Sequence, residues 1–218
     1  MESPHHTLVL SFILFTLKGS KVDDNTYTYM LLSCWNSLLL YGNLQRGDIF
    51  LLSIDSESFE HMKQYFLFGI IYKKLKERGV HLQCNILAPP ANLLEGFLWK
   101  YIVCSFEPVL QGKAHIYIDA DTVCLRPLDR LRKLLYAKEG FILCPEGPLS
   151  DGNYSDVAIP KDFLQKFPML PGCSAGLFAF RLSTAAVQEF SKILQTRLRE
   201  CKNEPAGYCI EQPYFNYG

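Results

Sequence analysis

An α/β domain with a mostly parallel central sheet and helices on both faces is the fold class this sequence predicts. Three observations lead there. Short apolar runs rich in β-branched and aromatic residues alternate with segments of helical periodicity over the first two-thirds of the chain. The 218 residues suit one such domain. Hydrophobic residues make up 49% and charged residues 20%, a globular composition.

The first run, "TLVLSFILFTL" (Thr7–Leu17), reads as a buried first strand. The alternative is a signal peptide, but no basic residue precedes the run and no small-x-small cleavage site follows it. It is also shorter than the roughly 20 residues that cross a bilayer. "KGSKVDDNT" is a polar loop. Tyr27–Tyr41 places apolar residues at helical spacing (Met30/Leu31, Cys34/Trp35, Leu38/Leu39), with Asp23, Asp24 and Asn25 available as caps. "GDIFLLSI" (Gly47–Ile54) is the second strand. Ser56 or Ser58 caps one long helix through Phe59, Met62, Phe66 and Leu75, stopped by Gly79.

"VHLQCNIL" is the third strand, ended by Pro89 and Pro90. A helix then carries Leu93, Leu94, Phe97, Leu98 and Tyr101. "HIYID" is the fourth strand, a short amphipathic helix holds Leu128, Leu131, Leu134 and Leu135, and "GFILC" is the fifth strand. Glu146–Gly172 is rich in Gly, Pro, Ser and Asp and reads as a long irregular connection of the kind that often carries function. "AGLFAFR" is a further strand. Ser183 or Thr184 caps a helix with Val187, Phe190, Ile193, Leu194 and Leu198 on one face.

Charge and cysteine usage narrow the function classes. Lys+Arg and Asp+Glu are both 22, and a chain with no net charge is a poor bulk binder of nucleic acid or anionic membrane. The eight cysteines form no CxxC and no Cys/His cluster with zinc spacing. Several sit in apolar runs, which favours reduced core thiols and a cytoplasmic setting over an oxidised secreted chain.

The chemistry concentrates in "YIDADTVCLRPLDRL". In an open parallel sheet, ligands bind beyond the carboxyl ends of the strands, and Asp119 and Asp121 fall at such an end. Residues two apart on extended backbone point the same way, so the two carboxylates are expected to converge on a hard oxygen site for Mn²⁺ or Mg²⁺. Such an ion would neutralise a departing diphosphate. An isolated Asp-x-Asp also describes solvated turn residues, and the flanks carry the case. A haloacid-dehalogenase-type phosphatase uses a similar motif, but Thr122 comes one residue early for that pattern and no later acidic pair completes it.

With its flanks, the segment resembles the metal-binding segment of GT-A fold glycosyltransferases, nearest the glycogenin-like group, glycosyltransferase family eight. "GCSAGLFAFR" (Gly172–Arg181) is similar to that family's "N-[SA]-G-hydrophobic" strand along the donor sugar, and "EQPYFN" (Glu211–Asn216) to its "D-Q-x-x-[LF]-N" segment. The resemblance covers most of the chain. It implies a GT-A type Rossmann-like sandwich and a metal-dependent transferase. That enzyme would move a sugar from a nucleotide-diphosphate donor, UDP-linked by resemblance, to the hydroxyl of a glycan, protein or small-molecule acceptor, with retention at the anomeric carbon.

By the same resemblance, Asp119 and Asp121 bind metal, with Asp119 and Ala120 near the nucleotide. Ser174, Ala175 and Gly176 line the donor sugar, and Glu211 and Gln212 face the sugar and acceptor. Thr16 and Leu17 sit near the base. Lys100 is placed where a cation could neutralise phosphate, and a solvated helix lysine is the plain alternative. Tyr27 reads as ordinary packing in preference to a base-stacking partner. The chain departs from the pattern at Cys173 and Ser174, where the family has Asn, and at Glu211, where it has Asp. It also has no His after His115, so the family's later His-x-x-Gly-x-x-Lys segment is missing. Two expectations follow: the chain is a catalytic domain cut from a longer protein, or the metal is completed differently. A module that binds a nucleotide sugar or glycan without efficient transfer is the competing function.

Overall fold

A computed structural model describes residues 6–22, 26–148, 161–167 and 169–200. The strands are β1 (Leu8–Leu14), β2 (Ile49–Asp55), β3 (His81–Leu87), β4 (Ala114–Ile118), β5 (Gly140–Pro148) and β6 (Pro171–Arg181). The helices are α1 (Tyr27–Tyr41), α2 (Ser56–Lys63), α3 (Phe66–Glu77), α4 (Leu93–Phe97), α5 (Glu107–Leu110), α6 (Asp129–Ala137), α7 (Lys161–Lys166) and α8 (Thr184–Glu200). A 3₁₀ helix, Leu98–Ser105, joins α4 to α5. The sheet order is β3-β2-β1-β4-β6-β5. The first four strands are mutually parallel, and β6 runs antiparallel to both β4 and β5.

Period-two alternation splits β1 between two cores. Leu8, Leu10, Phe12 and Leu14 face Leu31, Trp35 and Leu38 of α1, Ile71 and Leu75 of α3, and Leu135 of α6. Phe12, Trp35 and Phe50 meet with centroids 5.2 to 5.6 Å apart and form the aromatic centre of that layer. Val9 faces the opposite way, with Tyr117, Phe178 and Phe180, against Tyr101 and Val103 of the 3₁₀ helix and Val187 of α8. Burial of this kind contributes about 1.5–3 kcal/mol per large side chain. Helices thus cover both faces, as the sequence predicts. The Thr7–Leu17 run is indeed a strand, and no described helix is long and apolar enough to cross a membrane.

Two buried polar devices tie the layers together. Asp48, fully buried, receives both Arg132 guanidinium nitrogens at 2.8 Å and also accepts from the Leu8 and Gln45 amides. Four donors on one carboxylate satisfy its lone pairs, which such a pair needs to persist in the interior. His115 on β4 lies within 2.6 Å of Ser11 Oγ on β1 through its Nε2, and its buried Nδ1 has no partner. Burial pushes its pKa down to about 3, so the ring is neutral at ordinary pH.

Several local expectations are corrected. The long helix predicted after Ser56 is two helices, broken where Tyr65 is extended. Its cap is Asp55, whose carboxylate accepts from the Ser58 amide at 2.9 Å, in place of Ser56 or Ser58. The helix expected through Tyr101 tightens to 3₁₀ from Leu98. Leu134 is exposed, and Leu135 alone of that pair faces the core. The Glu146–Gly172 connection donates its first residues to β5, its last to β6 and six more to α7. Asp23, Asp24 and Asn25 lie outside the described residues.

Candidate functional site

The chain leaves β1 toward β2 and β3 on one side, then crosses to β4 on the other. Strand order therefore reverses between β1 and β4, and the crevice beyond their carboxyl ends is the ligand position such sheets offer. Asp119 follows β4 there, and Thr16 and Leu17 follow β1.

Asp119 is held from several directions. Its amide donates to the Gly176 carbonyl at 2.8 Å. Its Oδ1 accepts from the Tyr117 hydroxyl and lies 3.4 Å from Lys100 Nζ. Tyr117 is two residues earlier on the same strand and so lies on the same side. Lys100 comes from the 3₁₀ helix. Side chains three apart eclipse in that geometry, and the Phe97 ring sits 5.3 Å from Nζ accordingly. The Tyr117 ring is 4.9 Å from the same atom. The Lys100 side chain is 1% exposed, while that of Asp119 is 35% exposed. A partnerless ammonium at that depth would cost several kcal/mol, and the carboxylate and ring faces offset the cost.

On β6, pairing with β5 jumps from Leu143↔Phe178 to Pro145↔Cys173. The intervening segment 174–177 bows out of register with β5, and irregularities of this kind re-aim chain near active sites. Lys100 Nζ donates to the Ala175 carbonyl at 3.3 Å, and Ser174 Oγ accepts from the Gly176 amide at 3.2 Å. A Cβ on Gly176 would stand 2.4 Å from Asp119 Oδ2, so only glycine permits this approach. Ser174, Ala175 and Gly176, picked from sequence as one group, therefore do adjoin Asp119 and Lys100.

Asp121 does not continue the line of β4. β4 ends at Ile118, and the Thr122 amide donates back to the Asp119 carbonyl at 3.1 Å, closing a turn over 119–122. The expectation that both carboxylates project from extended backbone is thus corrected, because the chain turns between them. Ala120 is buried, and Asp121 is exposed with no hydrogen bond or ion pair among the described residues. After the turn the chain descends along α1, where the Cys124 amide donates to Ser37 Oγ at 2.8 Å. Burial pushes the neighbouring Cys34 thiol up to about 12, and Cys124, Asp121 and Asp119 add to the shift.

At the end of β1, the Thr16 amide donates to Asp55 Oδ2 at 2.8 Å and Thr16 Oγ1 meets Ser58 Oγ at 2.9 Å. Asp55 therefore both caps α2 and anchors the loop after β1. Thr16 is buried and Leu17 half-buried. Tyr27 is exposed at the start of α1. The six described cysteines are free thiols. Glu211 and Gln212 lie outside the described residues.

Among the described residues, no three His, Cys, Asp or Glu side chains gather into a metal-binding group. Two hard carboxylates remain. Among the described residues Oδ2 of Asp119 accepts no hydrogen bond, and Asp121 is exposed. That set suits an ion such as Mg²⁺, which keeps several positions for water and substrate phosphate. Tyr117 and Asp55 escaped the sequence reading. The signal for Tyr117 was its i−2 position before Asp119, and for Asp55 the strand-end Asp-x-x-Ser that starts a helix.

No protein-family profile matches the chain, and no curated protein is detectably similar to it. The solved structure described as the apo form of the bifunctional glycosyltransferase WbbM does match, with a TM-score of 0.57 and 15% identity over 96% of this chain. The match covers 36% of that chain, so the present chain spans about a third of that protein's length. The likeness establishes the fold: a six-stranded, mostly parallel sheet between helical layers, of a kind found in a glycosyltransferase.

Proposed function

We propose that this chain is a metal-dependent glycosyltransferase domain that uses a nucleotide-diphosphate sugar, UDP-linked, as donor and an acceptor hydroxyl of a glycan, protein or small molecule. The observation that carries the reading is Asp119 at the strand-order reversal, locked to the Gly176 bulge by backbone and side chain alike. In the reaction the anomeric carbon–oxygen bond to the diphosphate breaks and its electron pair leaves with UDP. A bond from the acceptor oxygen to that carbon forms, and the hydroxyl proton is released. Retention is proposed on the family resemblance.

Asp119 and Asp121 would hold Mn²⁺ or Mg²⁺, which stabilises the charge of the leaving diphosphate. Thr16 and Leu17 border the nucleotide end of the crevice, and Ser174, Ala175 and Gly176 the sugar end. Glu211 and Gln212 are proposed to face the sugar and acceptor. Calorimetric titration of UDP in the presence of Mn²⁺, and again with EDTA, tests the donor site, with Asp121→Ala as the variant that leaves the fold intact. Metal-dependent binding that disappears in Asp121→Ala supports the assignment, and unchanged binding in the variant sinks it. Transfer or hydrolysis from a bound UDP-sugar then separates an enzyme from a binding module.

A further inference from the structure

Asp119 presents two chemically unequal oxygens. Oδ1 takes the Tyr117 hydroxyl and faces the Lys100 ammonium at 3.4 Å, both reaching it from the buried layer beneath the crevice. Among the described residues, Oδ2 accepts no hydrogen bond, and it lies against Gly176. We propose that Tyr117 and Lys100 are positioning residues. Together they occupy Oδ1 from inside the protein, leave Oδ2 as the single oxygen offered to a divalent cation, and fix the gap between that oxygen and the sugar-facing bulge. This rests on the donor-site reading above.

Three features carry the proposal. Lys100 is 2% exposed and Tyr117 fully buried, so neither stands in the crevice as an ordinary surface contact would. The ammonium also bonds the Ala175 carbonyl at 3.3 Å, so one buried charge links the end of β4 to the bulge of β6. A methionine would pack against the Phe97 and Tyr117 rings without any desolvation cost, yet the chain carries a lysine there. An outer group that orients a metal-binding carboxylate in this way typically accounts for 10–100-fold in metal affinity.

The test uses Tyr117→Phe, which deletes one oxygen and keeps the ring stacked on Phe178, and Lys100→Met, which keeps the apolar stem. Mn²⁺ binding is measured by the loss of free-ion electron paramagnetic resonance signal, with and without UDP, beside thermal unfolding. Positioning predicts Mn²⁺ binding about 10-fold weaker or more in both variants, with or without UDP. A lysine acting only as a competing positive charge predicts the opposite, tighter Mn²⁺ binding in Lys100→Met. A lysine acting as a phosphate ligand predicts weaker UDP binding with Mn²⁺ alone bound as before. Either of those results overturns the proposal, as does a lowered unfolding temperature with unchanged Mn²⁺ affinity. If Lys100→Met does not fold, Tyr117→Phe decides alone. A wild-type protein that binds no Mn²⁺ in any condition overturns the donor-site reading and this inference together, whereas wild-type binding with unaffected variants overturns only the inference.

Discussion

Replacing Gly176 by alanine would test its close approach to Asp119. The added Cβ would stand 2.4 Å from Asp119 Oδ2 and 3.2 Å from its Cγ. Relief to an ordinary contact requires the carboxylate and the bulge to part by about 1 Å. Asp119 cannot move freely, because its other oxygen is bound to Tyr117 and Lys100 and its amide to the Gly176 carbonyl. Overpacking of this kind costs about 1–3 kcal/mol of stability. Disturbing the setting of a metal-binding carboxylate typically costs about 10–100-fold in metal affinity. On the donor-site proposal, Gly176→Ala is therefore expected to fold, to unfold a few degrees lower, and to bind UDP with Mn²⁺ about 10–100-fold more weakly in calorimetry. Gly69→Ala is the control. It lies in α3 with nothing near its added methyl, and a helical Gly→Ala gains up to about 1 kcal/mol. Wild-type affinity in Gly176→Ala would refute the claim that this approach shapes the site.

Two further perturbations probe the frame. His115 is held neutral, with its folded pKa about 3 against an ordinary value near 6.5. The unfolded chain therefore binds more protons between those values, and stability present above pH 6.5 falls by about 1.4 kcal/mol for each unit of acidification toward pH 3. Urea unfolding at pH 6.5 and 4.5 should show that slope, and His115→Gln should lose it; an equal slope in the variant would assign the effect elsewhere. Arg132→Met would strand the Asp48 carboxylate without its counter-charge, a loss of about 3–5 kcal/mol read from the same denaturation curves.

The parts of the fold that were legible in the sequence are those set by repetition. Leu8, Leu10, Phe12 and Leu14 alternate with the opposite face, and the i, i+4 pairs of α1 mark its buried stripe. What escaped depends on contacts distant in sequence. Nothing in "KQYFLF" signals the break at Tyr65, whose hydroxyl pairs with His61 and whose ring meets Tyr29. "LWKYIVCS" reads as α-helix by period, yet it tightens to 3₁₀ while burying Trp99, Lys100, Tyr101, Val103 and Cys104. Alternating strand and helix signals favour parallel pairing, so the antiparallel entry of β6 between β4 and β5 had no local mark. Asp119 and the 174–176 group, singled out by motif, do adjoin one another. The turn that separates Asp121 from the strand was not legible, because extended backbone was carried through Asp121 although β4 ends at Ile118. Lys100 was nominated as a phosphate counter-charge, and its burial beside Asp119 could only come from the packing of the 3₁₀ helix.

The position of β6 also bears on how the molecule assembles. Four parallel strands are complete once the chain has reached Ile118; β1–β2 and β2–β3 join consecutive strands through helical crossovers, and β4 returns to β1 across a longer span. The strand that completes the crevice arrives only at Pro171–Arg181 and must insert beside β4, with His115 opposite Phe180. Closing so long a loop comes at an entropic cost before its contacts form. During synthesis, the half of the domain carrying Asp119 therefore emerges well before the half carrying Gly176. Lys100 and Asp119 wait for the Ala175 carbonyl and the glycine surface against which the finished crevice is set.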